Sequence, residues 1–545
     1  MPATPSFARL EAAYLAARDA RDRLDVALAS GEPSDASDPS ADERAAAATA
    51  DALRAAMAGL TAGDEAALEG GDRRALAAIR RGVETVLGDE PGLPLTPAMT
   101  RADCDDGAAW ATAIEAGGTL LRRRLEGCYA TVAGALRTGA DTLTRPRILA
   151  RLATEAEPGA RRRLFLALEP LWRVVDGDGD RTSPYRALLR ESASRWAGGR
   201  SPIAANAAAL GVTAADIEAW ASDTLGAWRM AVVDPARARG EPETEPWDWW
   251  WRAGEADRTL RGALPLDRLF AINREAHLAL GADLDALGIR LDTAPRPGRP
   301  PVPVAFTTFG ARPRRRPDGS WSPGRPTVLA TYVDGGLGEL TELVHETGHA
   351  IHIAAIRTRP AFADWPDSDA LTEALAELVS LDVAEPAWQR RWLPGAPPVP
   401  EGVSLRCRYA DVALDAAWAL LEIRLHADPD RRPNEAWTEI TSGYLGIAPH
   451  PEWSWWAMRG QLVQEPGYMA NYAIGAVLAA DLRQAIRAAR GNRSGADPGW
   501  YAWVTERIYR FGLERSAGEV LRDVLGRAPA ADALLREIGR AGAVA

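Results

Sequence analysis

Apolar residues recur at spacings of three and four along most of the chain, among alanine, leucine, arginine and glutamate, and this periodicity predicts a mainly helical protein. Helical runs extend from residue 45 to about 286 and again from about 402 to the end. Within residues 340–355 the set Leu340, Leu343, Val344, Thr347 and Ile351 makes one apolar stripe, and residues 371–380 read as a second short helix. Two stretches break the rhythm. Residues 302–309 and 327–333 predict the two strands of a hairpin, the second rich in β-branched residues and ending in Asp334-Gly335-Gly336, immediately before the 340–355 helix. Between them Arg312, Arg314, Arg315 and Arg316 stand among prolines and glycines, which reads as a solvated loop or hairpin tip. Residues 30–42 and the proline-rich stretch after Glu385 predict loops. Asp176-Gly177-Asp178-Gly179-Asp180 lacks the glycine and the closing glutamate of a calcium loop and reads as a turn. No internal repeat is present.

The 340–355 helix carries His345-Glu346-Thr347-Gly348-His349. Residues four apart share a helical face, so His345 and His349 can grip one metal ion without a loop to assemble them. Glu346, one position round, can reach a water on that ion, the placement a general base requires. A catalytic zinc takes three protein ligands and leaves one position open. Glu373, 28 residues after His345, is the expected third ligand. Glu377, one turn on, could accept the outer N–H of a ligand histidine and fix its ring. The two glutamates could exchange roles, and either could be the solvated face of an amphipathic helix. His352 leans to the same side and is expected to support or pack rather than to ligate.

Composition adds exclusions. A net charge of −11 with no basic stripe argues against nucleic acid as a partner. All 64 basic residues are arginine, which removes Schiff-base and Walker-type lysine chemistry and suggests a GC-rich bacterial genome. The first residues lack the charged and apolar regions of a secretory leader, and no run approaches the roughly 18 apolar residues of a membrane span, so a cytoplasmic protein is expected. Cys104, Cys128 and Cys407 are too few and scattered for a disulfide framework or a structural zinc site, and read as small buried hydrophobes.

Several segments together resemble the thimet oligopeptidase and oligoendopeptidase F family of zinc peptidases, with angiotensin-converting enzyme as a more distant relative. They are Pro246-Trp247-Asp248 opening a helix, the strand from Thr327 to Val333, the segment from Leu343 through His345, Glu346, Gly348 and His349 to His352, Glu373 in a small-residue helix, and Pro466-Gly467-Tyr468 through Tyr472 to Gly475. Glu373 with Glu377 is also similar to the ligand helix of the angiotensin-converting enzyme branch. The resemblance implies a two-lobed helical zincin of the gluzincin type, with a deep central channel and a small β-sheet next to the metal helix. Residues 1–290 would then form part of the channel wall, and residues 291–545 the catalytic region with its C-terminal helices. It implies one Zn2+ ion, oligopeptide substrates, Glu346 as base, and Tyr468 and Tyr472 as donors to the reaction's oxyanion. One departure is visible: the family histidine ahead of the tyrosine segment is missing, leaving His450, Arg459, Gln461 or Gln464 as substitutes. Trp453, Trp455 and Trp456 read as core. A carboxy-dipeptidase or aminopeptidase on the same scaffold, or a zinc-containing peptide-binding protein without turnover, are the alternatives. Glu346 favours an enzyme, since a purely structural zinc has no use for a base.

Overall fold

The computed structural model describes residues 5–29, 41–87, 99–139, 141–176, 183–295, 302, 305–316, 318–491 and 496–542. The protein is mainly helical, as its periodicity predicts. The chain groups into two compact units, one comprising Met1–Pro94, Pro265–Ser380 and Asn492–Gly526, the other Leu95–Leu264, Leu381–Gly491 and Arg527–Ala545. Each is assembled from separated segments, so the units do not follow one boundary near residue 290. Among the described residues no helix is long and apolar enough to cross a membrane. Most of the expected 30–42 loop and of the 176–180 turn lies outside the described residues.

In the first unit the helix Gly336–Ala355 is buried along most of its length. Gly335 and Gly336 turn the chain into it with φ of 67° and 92°, a region that a Cβ disfavours. The Glu339 carboxylate then accepts the N–H groups of Val333, Asp334 and Gly335 at 3.0, 3.2 and 2.7 Å, and so closes the helix start. The helix Asp369–Ser380 lies against it, and Gly348 explains how closely. A Cβ there would stand 2.8 Å from the Ala376 carbonyl oxygen and 2.9 Å from its Cα, so only glycine admits this approach.

The expected hairpin exists in part. Phe306–Thr308 pairs antiparallel with Thr327–Leu329, with Thr307 opposite Val328, but both strands are shorter than the pattern suggests. A third strand, Arg290–Asp292, pairs parallel on the other side, so Thr327–Leu329 is central and Phe306–Thr308 ends the sheet. Arg314–Arg315 pairs antiparallel with Trp321–Ser322, as a hairpin tip does, and the arginine segment departs from a solvated one at Arg312. Arg314, Arg315 and Arg316 are exposed, whereas Arg312 is 3 % exposed. Its backbone N–H donates to Asp19 at 2.9 Å, Nε donates to the Ala363 carbonyl at 2.9 Å, and its guanidinium pairs with Asp22 and Asp364. Carboxylates remote in sequence make that burial possible.

The second unit is built around the helices Glu401–Ala427 and Met469–Arg490. Trp418 stacks on Trp437 with centroids 5.0 Å apart, and Trp455 meets Trp437 edge-on at 4.7 Å, so the tryptophan-rich stretch does serve the core. Three expectations are corrected here. The proline-rich stretch after Glu385 contains the helix Pro386–Trp392, opened by a proline whose missing N–H costs nothing in a first turn. The short hairpin Leu136–Thr138 with Asp141–Leu143 interrupts the supposedly all-helical region. Cys104 and Cys128 form a disulfide across 24 residues, because Gly117 and Gly118, with φ of 61° and 54°, reverse the chain between the helix Gly107–Ala116 and the helix Gly118–Gly134 that carries Cys128. Cys407 is the unpaired thiol and accepts the Ala256 N–H at 3.4 Å.

Candidate metal centre

The helix Gly336–Ala355 puts donor atoms of His345, Glu346 and His349 within 4.8 Å of one another, a group that could hold a metal ion. Glu373 joins it through His345, its Oε2 lying 3.4 Å from Nε2 of that ring. The opposite nitrogen, Nδ1, lies 3.1 Å from Glu377 Oε1, and the second oxygen of Glu377 accepts the Ser380 hydroxyl at 2.7 Å. Both glutamates therefore face one ring from opposite edges, as the one-turn spacing of 373 and 377 on a packed helix allows. The rings of His345 and His349 meet edge-on, with centroids 4.8 Å apart.

These donors suit a divalent ion. Two atoms each bound at about 2.0–2.1 Å to one tetrahedral ion stand roughly 3.3 Å apart, close to the observed His345–Glu373 separation. The electrostatics agree. Burial opposes a charge on His345, but hydrogen bonds to Glu373 and Glu377 outweigh it and hold the ring well above the usual imidazole range. The pocket thus favours positive charge at this point. At His349 burial dominates and the neighbouring His345 adds to it, so its pKa is lowered and the neutral, ligating form is favoured.

His352 packs against aromatic rings. It is 1 % exposed, stacks on Tyr509 at 4.9 Å and tilts against Trp365, and burial pushes its pKa down to about 3. Trp365 also meets His349 edge-on at 5.5 Å and forms an apolar wall that no sequence pattern marked. Polar side chains from other elements support the helix. Asn273 donates to the Thr347 hydroxyl at 2.9 Å, and the Thr307 hydroxyl lies 2.7 Å from Glu346 Oε2 and 2.9 Å from the Glu346 carbonyl oxygen. Thr307 stands 39 residues before Glu346, a distance at which spacing carries no signal.

Tyr468 and Tyr472 belong to the second unit. Their rings meet edge-on at 5.5 Å around the start of the helix Met469–Arg490. Of the four candidates for the missing histidine, Gln461 is hydrogen-bonded to a tyrosine, donating to the Tyr472 hydroxyl at 3.1 Å. Arg459 lies over the Tyr472 ring at 5.6 Å and pairs with Asp415. His450 is engaged elsewhere, between Glu245 at 3.0 Å and Glu452 at 2.8 Å and stacked on Trp453.

No family model and no curated protein matches the sequence. Solved structures do. Trypanosoma cruzi metallocarboxypeptidase 1 is similar at a TM-score of 0.54 and 16% identity, covering 98% of this chain and 99% of its own. A Pyrococcus furiosus carboxypeptidase is similar at 0.55 and 15% identity over 98% and 99%. A structure assigned to oligoendopeptidase F reaches 0.56 and 15% identity over 98% and 96%. At such identities the likeness is one of fold, and the fold is that of helical metallopeptidases.

Proposed function

We propose that the protein is a zinc-dependent metallopeptidase that hydrolyses peptide bonds in short unstructured peptides. One observation carries this reading: the helix Gly336–Ala355 brings His345, Glu346 and His349 into one group, and the helix packed against it at Gly348 sets Glu373 3.4 Å from His345 Nε2. His345, His349 and Glu373 would hold one zinc ion, which when bound supplies Lewis acidity towards water and the peptide carbonyl. Glu377 holds His345 by Nδ1 and so aims Nε2 at Glu373. Glu346 takes a proton from the attacking water and returns it to the leaving amine. Tyr468 and Tyr472 would donate phenol hydrogens to the oxyanion, on the family resemblance. The strand Phe306–Thr308 ends its sheet and is suited to pair with an extended peptide through backbone groups, which holds a substrate with little regard to side chains.

Within this class the motifs favour the thimet oligopeptidase and oligoendopeptidase F family, whereas two of the similar structures are carboxypeptidases, which favours removal of C-terminal residues as the second reading. The Cys104–Cys128 disulfide fits an oxidising compartment better than the cytoplasm.

Mass spectrometry of a digested peptide library separates these readings. Internal cleavage marks an endopeptidase and stepwise shortening from the C-terminus a carboxypeptidase. Cleavage should vanish with a chelator and fall at least about a thousandfold in Glu346→Gln, which should retain one zinc per chain. Intact peptides after prolonged digestion by the zinc-loaded wild type, or full activity in Glu346→Gln, would refute the proposal.

A further inference from the structure

We infer that Thr307 is a positioning residue for Glu346, fixing the carboxylate through Oε2 so that Oε1 is left for proton exchange. The inference rests on the metallopeptidase reading above and deepens it. Thr307 sits in the middle of the strand Phe306–Thr308, paired with Val328, and its hydroxyl reaches to the histidine helix. There it lies 2.7 Å from Glu346 Oε2 and 2.9 Å from the Glu346 carbonyl oxygen. One hydroxyl has one proton to donate, and the charged acceptor at the shorter distance takes the stronger bond.

The pairing suits the task on both sides. A glutamate side chain rotates about three bonds, and freezing it costs rotamer freedom. A threonine is stiff at χ1 because its Cβ is branched, and its backbone is held in a sheet. Thr307 is therefore a fixed post and Glu346 the arm tied to it. Glu346 is 7 % exposed, so water has little access to replace that tie. Among the described residues, Thr307 provides the hydrogen bond to this carboxylate. The same strand that is suited to seat a substrate thus also sets the base, which couples where the peptide lies to where its proton goes.

Thr307→Val keeps the shape and removes the hydroxyl, and Thr307→Ser keeps the hydroxyl. In zinc-loaded Thr307→Val, kcat should fall on the order of tenfold to a hundredfold with KM within about twofold of wild type, and Thr307→Ser should recover most of kcat. Crystal structures of both zinc-loaded proteins give a readout independent of turnover. Wild type should show one Glu346 rotamer bonded to Thr307, and Thr307→Val a turned or split carboxylate. An unchanged Glu346 rotamer in Thr307→Val, or an unchanged kcat, overturns the inference, as does a serine variant no better than valine. Should valine unsettle the sheet, Thr307→Ala repeats the comparison with no added methyl. If wild type cleaves no peptide, the metallopeptidase reading fails by itself, and the crystallographic comparison still decides the role of Thr307.

Discussion

The helix that carries the histidines and the helix that begins at the tyrosines are both long and mostly buried, yet different acids hold their first turns. At the histidine helix the acid is Glu339, a half-buried residue of the same helix, accepting N–H groups of the three residues that lead into it. At the tyrosine helix it is Glu422, from a helix 45 residues earlier, 1 % exposed, accepting the N–H of Gly467 at 2.7 Å and of Met469 at 3.0 Å. Burial pushes the Glu422 carboxyl up to about 8, against the opposing pull of those two N–H groups. A local acid starts its helix wherever that segment goes. A remote buried one makes the start depend on the packing of its unit and on a proton. The histidine face accordingly depends on interhelix packing at Gly348, and the tyrosine face on an ionisable group.

The largest effect is expected where the first arrangement is broken at its tightest point. Valine at position 348 would drive its side chain into the backbone of Ala376, which cannot yield as a flexible side chain would. Gly348→Val should cost about 3 kcal/mol of unfolding free energy by overpacking and release zinc, because Glu373 is carried away from His345. Denaturant titration and metal analysis check this together. Wild-type stability with one zinc per chain would mean that the close approach does not set the ligand geometry.

The same contrast explains what could be read in advance. His345, Glu346 and His349 lie on one helical rod, where spacing alone fixes neighbourhood, and Glu373 with Glu377 needs just one further helix. Gly348 was visible as a letter of the motif, but its reason lies in Ala376, on another helix. Thr307, Trp365 and Asn273 reach the centre from separate elements, and no periodicity reports on such contacts. Arg312 misleads for a related reason: a run of arginines among prolines normally faces water, and only Asp19, Asp22 and Asp364 bury this one. The strand Arg290–Asp292 is three residues long, too short for an alternating pattern to reveal it. The contacts of Gln461 and Arg459 with Tyr472 likewise join separate segments of the chain, which spacing does not report.

Glu422 sharpens the comparison through pH. Its folded pKa of about 8 stands above the ordinary 4.5, so the folded protein binds a proton that the unfolded chain releases across this window. Stability from this group is therefore fully present below about pH 4.5 and is lost as pH rises through about 8. Glu422→Gln cannot ionise and should remove that slope. From about pH 6.5 to 9 the wild type should lose on the order of 2 kcal/mol more than the variant, measured by unfolding at a series of pH values. Parallel curves would show that the buried acid does not titrate in this range.

The smallest effect belongs to Glu339. Its carboxylate serves N–H groups of Val333 and Asp334, which are exposed, and of Gly335, which is buried, so water can take over two of the three bonds when it is removed. What remains is the attraction between a negative charge and a helix N-terminus, worth about 0.5–1 kcal/mol and screened by salt. Glu339→Ala should therefore lower the unfolding free energy by about that much in dilute buffer and by less at about 1 M salt. The cost of Glu422→Gln, which falls on a buried site, should change little with salt, because ions do not reach it. An equal salt response in the two variants would erase the distinction between the local and the remote acid.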